Sequence, residues 1–159
     1  MDEREFEQRA RACMPKLHRI ACAILLRSDD REDAIQEALL RAWRYRTRLR
    51  EDAYFETWLV RILINECKDI LRRRRRTNAV ELTEHIPAPE QNVPDPVLRQ
   101  ALFSLDVKLR LPLVLRYLEG YKIEEIAQMT RTPVGTLNHR LRTAKDRLRI
   151  ALEKGGYER

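Results

Sequence analysis

The chain has 159 residues, room for one ordinary domain or two small ones and too little for a large multidomain enzyme. With 32 Lys and Arg against 25 Asp and Glu it carries a formal charge of +7, and 36% of its residues are charged against roughly 25% in average proteins, so a polyanionic partner suits it. Only four glycines are present, all from Gly120 onward, which leaves none before that point for tight hairpins, excludes a β-rich fold and points to an all-α one.

In chain order, Phe6, Ala10, Cys13, Leu17, Ile20 and Ile24 recur at spacings of three or four and predict an amphipathic helix, with Pro15 as a kink or restart. Asp29 or Asp30 can cap the next helix, with Glu32 or Asp33 three residues on, and Ala34, Ile35, Ala38, Leu39 and Ala42 form its apolar stripe to about Arg46. The same carboxylates suggest a metal site, but capping and the helix dipole explain them and no partner cluster follows. After TRLRED, Asp52 can cap a third helix whose Phe55, Trp58, Leu59, Ile62, Leu63, Cys67, Ile70 and Leu71 face inward. That helix ends in Arg72 to Arg76. Cations complement the carbonyl end of a helix dipole, but five exceed that need, and consecutive arginines point in several directions, as backbone neutralisation of nucleic acid requires. Arg46, Arg48 and Arg50 add a second cluster ahead of Tyr54. Trp43 and Trp58 lie on or beside apolar stripes, where core packing suits them better than base stacking.

Charge then divides the chain, with net +5 over residues 1–76, −4 over 77–96 and +6 over 97–159. The acidic middle holds Pro87, Pro89, Pro94 and Pro96 and reads as a linker between two small helical domains, 1–76 and 97–159; the alternative is an ordered loop on one merged domain. Asp95-Pro96 is a cap with proline at the first helical position, opening the short amphipathic helix VLRQALFSL. A second helix, VKLRLPLVLRYLEG, stops at Gly120, with Pro112 blurring its beginning. Next come KIEEIAQM, the turn TRT, and a helix opened by Thr132-Pro133 with Val134, Leu137, Leu141, Ala144 and Leu148 inward. This is helix-turn-helix spacing, and Ala127 is the small residue that lets the two helices approach. Thr136, Asn138, His139, Arg140, Arg142, Thr143, Lys145 and Arg147 make the remaining face cationic or hydrogen-bonding, which suits a major groove; the bland reading is a solvated helix surface.

Cys13, Cys22 and Cys67 lack CxxC spacing and His18, His85 and His139 are scattered, so neither a zinc site nor a disulfide framework is expected. No Gly-rich phosphate loop or nucleophile–base pair stands out, so neither a cofactor nor catalysis is expected. The apolar run Ile20 to Leu26 is too short to span a bilayer and the acidic start lacks the basic region of a signal peptide, which predicts a cytoplasmic protein without membrane insertion.

Taken together and in this order, DDREDAIQEALLRAWR, FETWLVRILINECKDILRRRRR and ALFSLDVKLRLPLVLRYLEGYKIEEIAQMTRTPVGTLNHRLRTAKDRL resemble a bacterial extracytoplasmic-function sigma factor of the sigma-70 family. The combination of a DxxQE helix, a WLxxIxxN helix and an EIA...GT helix-turn-helix is far more specific than any one of them. The resemblance implies a promoter-specificity subunit without enzymatic activity, with core RNA polymerase, duplex and single-stranded promoter DNA, and an anti-sigma factor as partners. It implies that Asp33, Gln36 and Glu37 dock on the coiled coil of the polymerase β′ clamp. It gives Arg46, Arg48, Arg50, Tyr54, Arg61, Asn65, Lys68, Arg72 and Arg73 the opened minus-ten element, with Asn65 the sharpest candidate for the captured base. Thr136, Asn138, His139, Arg140, Arg142 and Lys145 would read the minus-thirty-five duplex, with Arg131 and Thr132 near phosphates, and the linker would thread through polymerase. Leu39 departs from the family's usual Phe, a core change of little functional weight, and Asp106 from the usual Pro; His139 and Thr143 stand where a small Ser and a basic residue are usual, so the preferred promoter does not transfer from relatives. Two other classes compete: a stand-alone helix-turn-helix regulator using only the second domain, and a nucleic-acid enzyme, which needs a metal or a nucleophile.

Overall fold

The computed structural model describes residues 1–77 and 95–155, which fall into two compact units, and the expected proline-rich linker lies almost wholly outside the described residues. Among the described residues the secondary structure is helical throughout, without strands.

The first unit consists of α1 (Glu3–Ile24), α2 (Ser28–Arg44), single 3-10 turns at Arg46–Arg48 and Asp52–Tyr54, and α3 (Phe55–Arg76). The apolar stripes converge on Leu17, Ile20, Ile24, Leu59, Leu63 and Ile64, all essentially without solvent exposure. Phe6 meets Trp43 and Phe55 edge-on at 5.2 and 5.6 Å, and Trp58 leans on Phe55, so both tryptophans pack as the stripes require. The Asp2 carboxylate caps α1 by accepting from the Glu5 N–H at 2.8 Å. Pro15 neither ends nor restarts α1, because Pro15 and Arg11 both lie on its exposed side, where water can take the place of the lost backbone bond.

The expected caps of α2 and α3 are not formed. α2 starts at Ser28 without a side-chain cap, and Asp30 is instead taken by α3: Arg74 Nε and Nη2 donate to its two carboxylate oxygens at 3.0 and 2.8 Å. This two-pronged pair, half-shielded from water, ties the end of α3 to the start of α2. The neighbouring Arg31 donates to the carbonyls of Leu25 and Leu26, closing the α1–α2 connection. Asp52 opens a 3-10 turn, so α3 begins later than a cap at Asp52 would set, at Phe55, and α2 ends at Arg44.

The second unit consists of α4 (Pro96–Phe103), α5 (Val107–Leu113), a π-helical turn over Val114–Leu118, α6 (Ile123–Thr130) and α7 (Val134–Lys154). Asp95 caps α4 through the N–H groups of Val97 and Leu98. Beyond Pro112 the helix widens: the Glu119 N–H reaches back five residues to the Val114 carbonyl, and the chain turns away at Gly120, whose φ is +78°. Leu115, Ile126, Met129 and Leu137 form the centre of the core. Val134, expected to face inward, is 38% exposed, because the first turn of α7 stands in the open; a Cβ on its neighbour Gly135 would meet nothing within 4 Å. One charge enters this core. Arg110 is buried, donates to the Leu105 carbonyl at 2.7 Å and lies over the Phe103 ring, and burial lowers its pKa to about 10, so it remains a cation at neutral pH.

Candidate nucleic-acid and protein interfaces

The turn between α6 and α7 is closed by the Thr132 N–H on the Ala127 carbonyl at 3.0 Å, with the half-buried Ala127 at the crossing. Arg131 takes the left-handed conformation, φ 52°, the only non-glycine residue with positive φ among those described. Spacing locates this turn, but it does not reveal that an arginine must adopt a conformation costing an L-residue roughly 1 kcal/mol or more. Arg131→Gly is expected to stabilise the chain by about 0.5 kcal/mol, since glycine's greater freedom when unfolded offsets part of the relief, and to weaken DNA binding by removing an exposed cation. Urea unfolding and duplex binding of the same variant check the two signs.

On α7, Leu137, Leu141 and Ala144 are buried, while Asn138, His139 and Arg142 lie on the opposite, exposed side and Thr136 is exposed beside them. Arg140 and Thr132 are half-buried. The Lys145 ammonium rests 4.7 Å above the ring of Tyr117, an exposed residue of the π-helical turn that no motif or spacing singles out. Farther along, Asp146 pairs with Arg149 at 2.6 Å, and Arg147 is exposed beside them.

On α3, Arg61, Asn65, Lys68 and Arg72 follow one another at four, three and four residues, which puts them on one face opposite the buried stripe of Leu59, Leu63, Cys67 and Ile70. Tyr54, 60% exposed, immediately precedes this helix. Arg46 is part of the fold as well as of the surface: its guanidinium stacks 3.6 Å from the Trp43 ring centre and donates to the Trp43 carbonyl. Arg48 lies over Tyr45 in the same manner at 4.4 Å, whereas Arg50 is simply exposed. Neither stack is foreseeable from the sequence, because periodicity identifies apolar stripes but not which cation covers which ring.

Asp33, Gln36 and Glu37 are exposed on α2 and line a groove of about 1030 Å³ between α2 and α3. The groove also exposes Leu40, at 57%, and takes Asp69, Ile70, Arg72, Arg73, Arg75 and Arg76 from α3. At its floor Arg41 donates to the buried Glu66 at 2.7 Å and approaches Glu37 at 3.5 Å. Burial raises the Glu66 pKa, and the lowering by Arg41 is the smaller effect. A raised carboxylate pKa means that the folded chain holds this proton more tightly than the unfolded one, so the stability Glu66 contributes falls as pH rises from the ordinary glutamate range through the raised value. The stability of the native chain minus that of Glu66→Gln should therefore decrease across this window, as urea titrations at several pH values would show; an increase would make the Arg41 pair dominant.

Among the described residues no group of His, Cys, Asp and Glu is arranged to hold a metal ion, and no helix is long and apolar enough to cross a membrane. The Cys67 thiol is buried, with its pKa pushed up to about 12.

Comparison with known proteins matches sigma-70 region 2 over residues 10–77 and sigma-70 region 4 over residues 97–148. The chain is 33% identical over 150 residues to the ECF RNA polymerase sigma factor SigM of Mycobacterium tuberculosis, covering 92% of this chain and 76% of that one. It is 34% identical over 149 residues to the ECF RNA polymerase sigma-E factor of Escherichia coli, covering 81% and 78%. Among solved structures, the sigma factor RpoE in complex with the anti-sigma factor NepR from Bartonella quintana superposes with a TM-score of 0.78 at 25% identity over 94% of this chain and 97% of that one. CnrH in complex with the cytosolic domain of CnrY shares the fold, with a TM-score of 0.73 at 24% identity over 98% and 92%.

Proposed function

The chain belongs to the sigma-70 family as an extracytoplasmic-function sigma factor, and we infer from this that it acts in the cytoplasm, without enzymatic activity of its own, as the subunit that selects promoters. It binds core RNA polymerase and promoter DNA and directs transcription initiation. The observation that carries the division of labour is the presence of polar faces on three different helices, α2, α3 and α7. The helix-turn-helix face, with Thr136, Asn138, His139, Arg142 and the flanking Arg131, Thr132, Arg140 and Lys145, suits the minus-thirty-five duplex. The α3 face of Arg61, Asn65, Lys68 and Arg72, with Arg46, Arg48, Arg50 and Tyr54 beside its start, suits opened minus-ten DNA. There exposed cations neutralise phosphate, and an amide such as that of Asn65 can pair with the edge of an unstacked base. Asp33, Gln36 and Glu37 form the strip offered to the β′ clamp coiled coil. The RpoE relative is held by an anti-sigma factor, and we propose a partner of that kind here.

The strip on α2 also favours this reading over a stand-alone regulator, which needs only the second unit. Run-off transcription with core polymerase on a genomic library tests it: defined start sites that require the chain are expected, whereas polymerase-independent protection of a palindrome would favour the stand-alone regulator.

A further inference from the structure

The cations along α7 are not all held in the same way. Asn138, Arg142 and Lys145 follow one another at four and three residues, so they run along one edge of the helix, and Arg149 continues that edge four residues on. Arg149 donates to the Asp146 carboxylate at 2.6 Å, which sets a formal negative charge beside it. Lys145 instead rests on a ring, 4.7 Å from the centre of Tyr117, and remains exposed. The difference matters to a polyanion. A carboxylate partner subtracts charge and repels an incoming phosphate, whereas the face of an aromatic ring attracts a cation without carrying a formal charge of its own. Arg46 on Trp43 and Arg48 on Tyr45 repeat the arrangement in the first unit, ahead of α3.

Tyr117 is more than half exposed, so core packing does not account for its ring. The π-helical turn that carries it is closed by bonds that bracket it: the Tyr121 N–H reaches the Leu115 carbonyl at 3.0 Å, and the Arg116 guanidinium donates to the Tyr121 carbonyl at 3.0 Å. The ring is therefore a fixed platform and the long lysine its flexible partner. A lysine that waves freely in water gives up rotamer freedom when it meets a phosphate, and one already laid on a ring has given up part of it before DNA arrives. We propose that Tyr117 is a positioning residue for promoter recognition, whose ring holds the Lys145 ammonium on the Asn138–Arg142 edge of α7, preset for a backbone phosphate of the minus-thirty-five duplex. The proposal rests on the reading that α7 enters that duplex, and adds to it a residue that precedes the helix-turn-helix.

The test measures the affinity of reconstituted holoenzyme for promoter DNA over a range of salt, with a thermal melt of each full-length variant to confirm folding. Tyr117→Phe keeps the ring and should bind as the native chain does. Tyr117→Leu keeps an apolar side chain without a ring and should bind about two- to five-fold more weakly, the range of an exposed contact between a cation and a ring. Lys145→Ala should lower the log-log salt slope by about 0.9, the value for one phosphate contact on duplex, and adding Tyr117→Leu to it should have no further effect. A role of the ring in the fold alone, or a direct contact of the ring with DNA, would survive removal of the lysine, so a loss of equal size with and without Lys145 overturns the proposal. Native affinity of Tyr117→Leu overturns it as well, and tighter binding would mean that the ring holds the ammonium away from DNA. If Lys145→Ala leaves the slope unchanged while Asn138→Ala with Arg142→Ala weakens binding, the positioning role is wrong and the duplex reading stands. If that pair also binds as the native chain does, the duplex reading itself fails.

Discussion

Asp33→Arg combined with Glu37→Arg is expected to abolish co-elution with core RNA polymerase while the chain stays folded. Both side chains are exposed on α2, and the ion pair at risk is the solvent-exposed one between Glu37 and Arg41, of the kind worth roughly 0.3–0.5 kcal/mol within a helix. Arg41 keeps its shorter bond to Glu66. Two reversed charges facing a complementary partner cost several kcal/mol, so the interface loses about two orders of magnitude or more in affinity while the fold loses almost nothing. Size-exclusion co-elution beside a thermal melt separates the two. Retained co-elution would remove α2 from the polymerase interface.

A similarly large effect is expected on promoter use from Asn138→Ala combined with Arg142→Ala. These side chains lie on the exposed side of α7 opposite Leu137 and Leu141, one helical turn apart, so both can enter one groove. Each lost base contact costs roughly 1–3 kcal/mol, so transcription from the cognate promoter should fall at least about ten-fold at limiting holoenzyme, with core binding intact. Transcription at the native level from both single and double variants would move the reading surface elsewhere on the second unit.

The parts of this molecule that follow from local periodicity are legible in the amino-acid sequence alone. Leu17, Ile20 and Ile24, or Leu59, Leu63 and Ile70, need only the 3.6-residue repeat to be assigned to a core, and the helix-turn-helix follows from spacing, Ala127 and the turn. Local rules mislead at residues whose partner is distant along the chain. Asp30 looks like a cap because caps are local, but Arg74, 44 positions away, offers it two charge-assisted bonds in place of a backbone amide. Pro15 looks like a break because the rule ignores which side of the helix loses its bond. Within the five arginines, only the packing of α2 against α3 sets Arg74 apart by giving it Asp30, and makes a groove beside the others. The stacks of Arg46 on Trp43 and Lys145 on Tyr117 are illegible for the same reason: each needs the three-dimensional neighbour to be known.

The three cysteines bring this division of the chain within reach of simple chemistry. Cys13, Cys22 and Cys67 all belong to the first unit, and Cys67 is wholly buried in it, with a thiol that stays protonated well above neutral pH. An alkylating reagent must therefore wait for α3 to open before it meets a Cys67 thiolate, and nothing in the second unit competes for the label. The rate of Cys67 modification is thus a clock for the opening of one half of the molecule, readable by mass in the intact chain, on polymerase or on a promoter, without a fluorophore or an engineered residue.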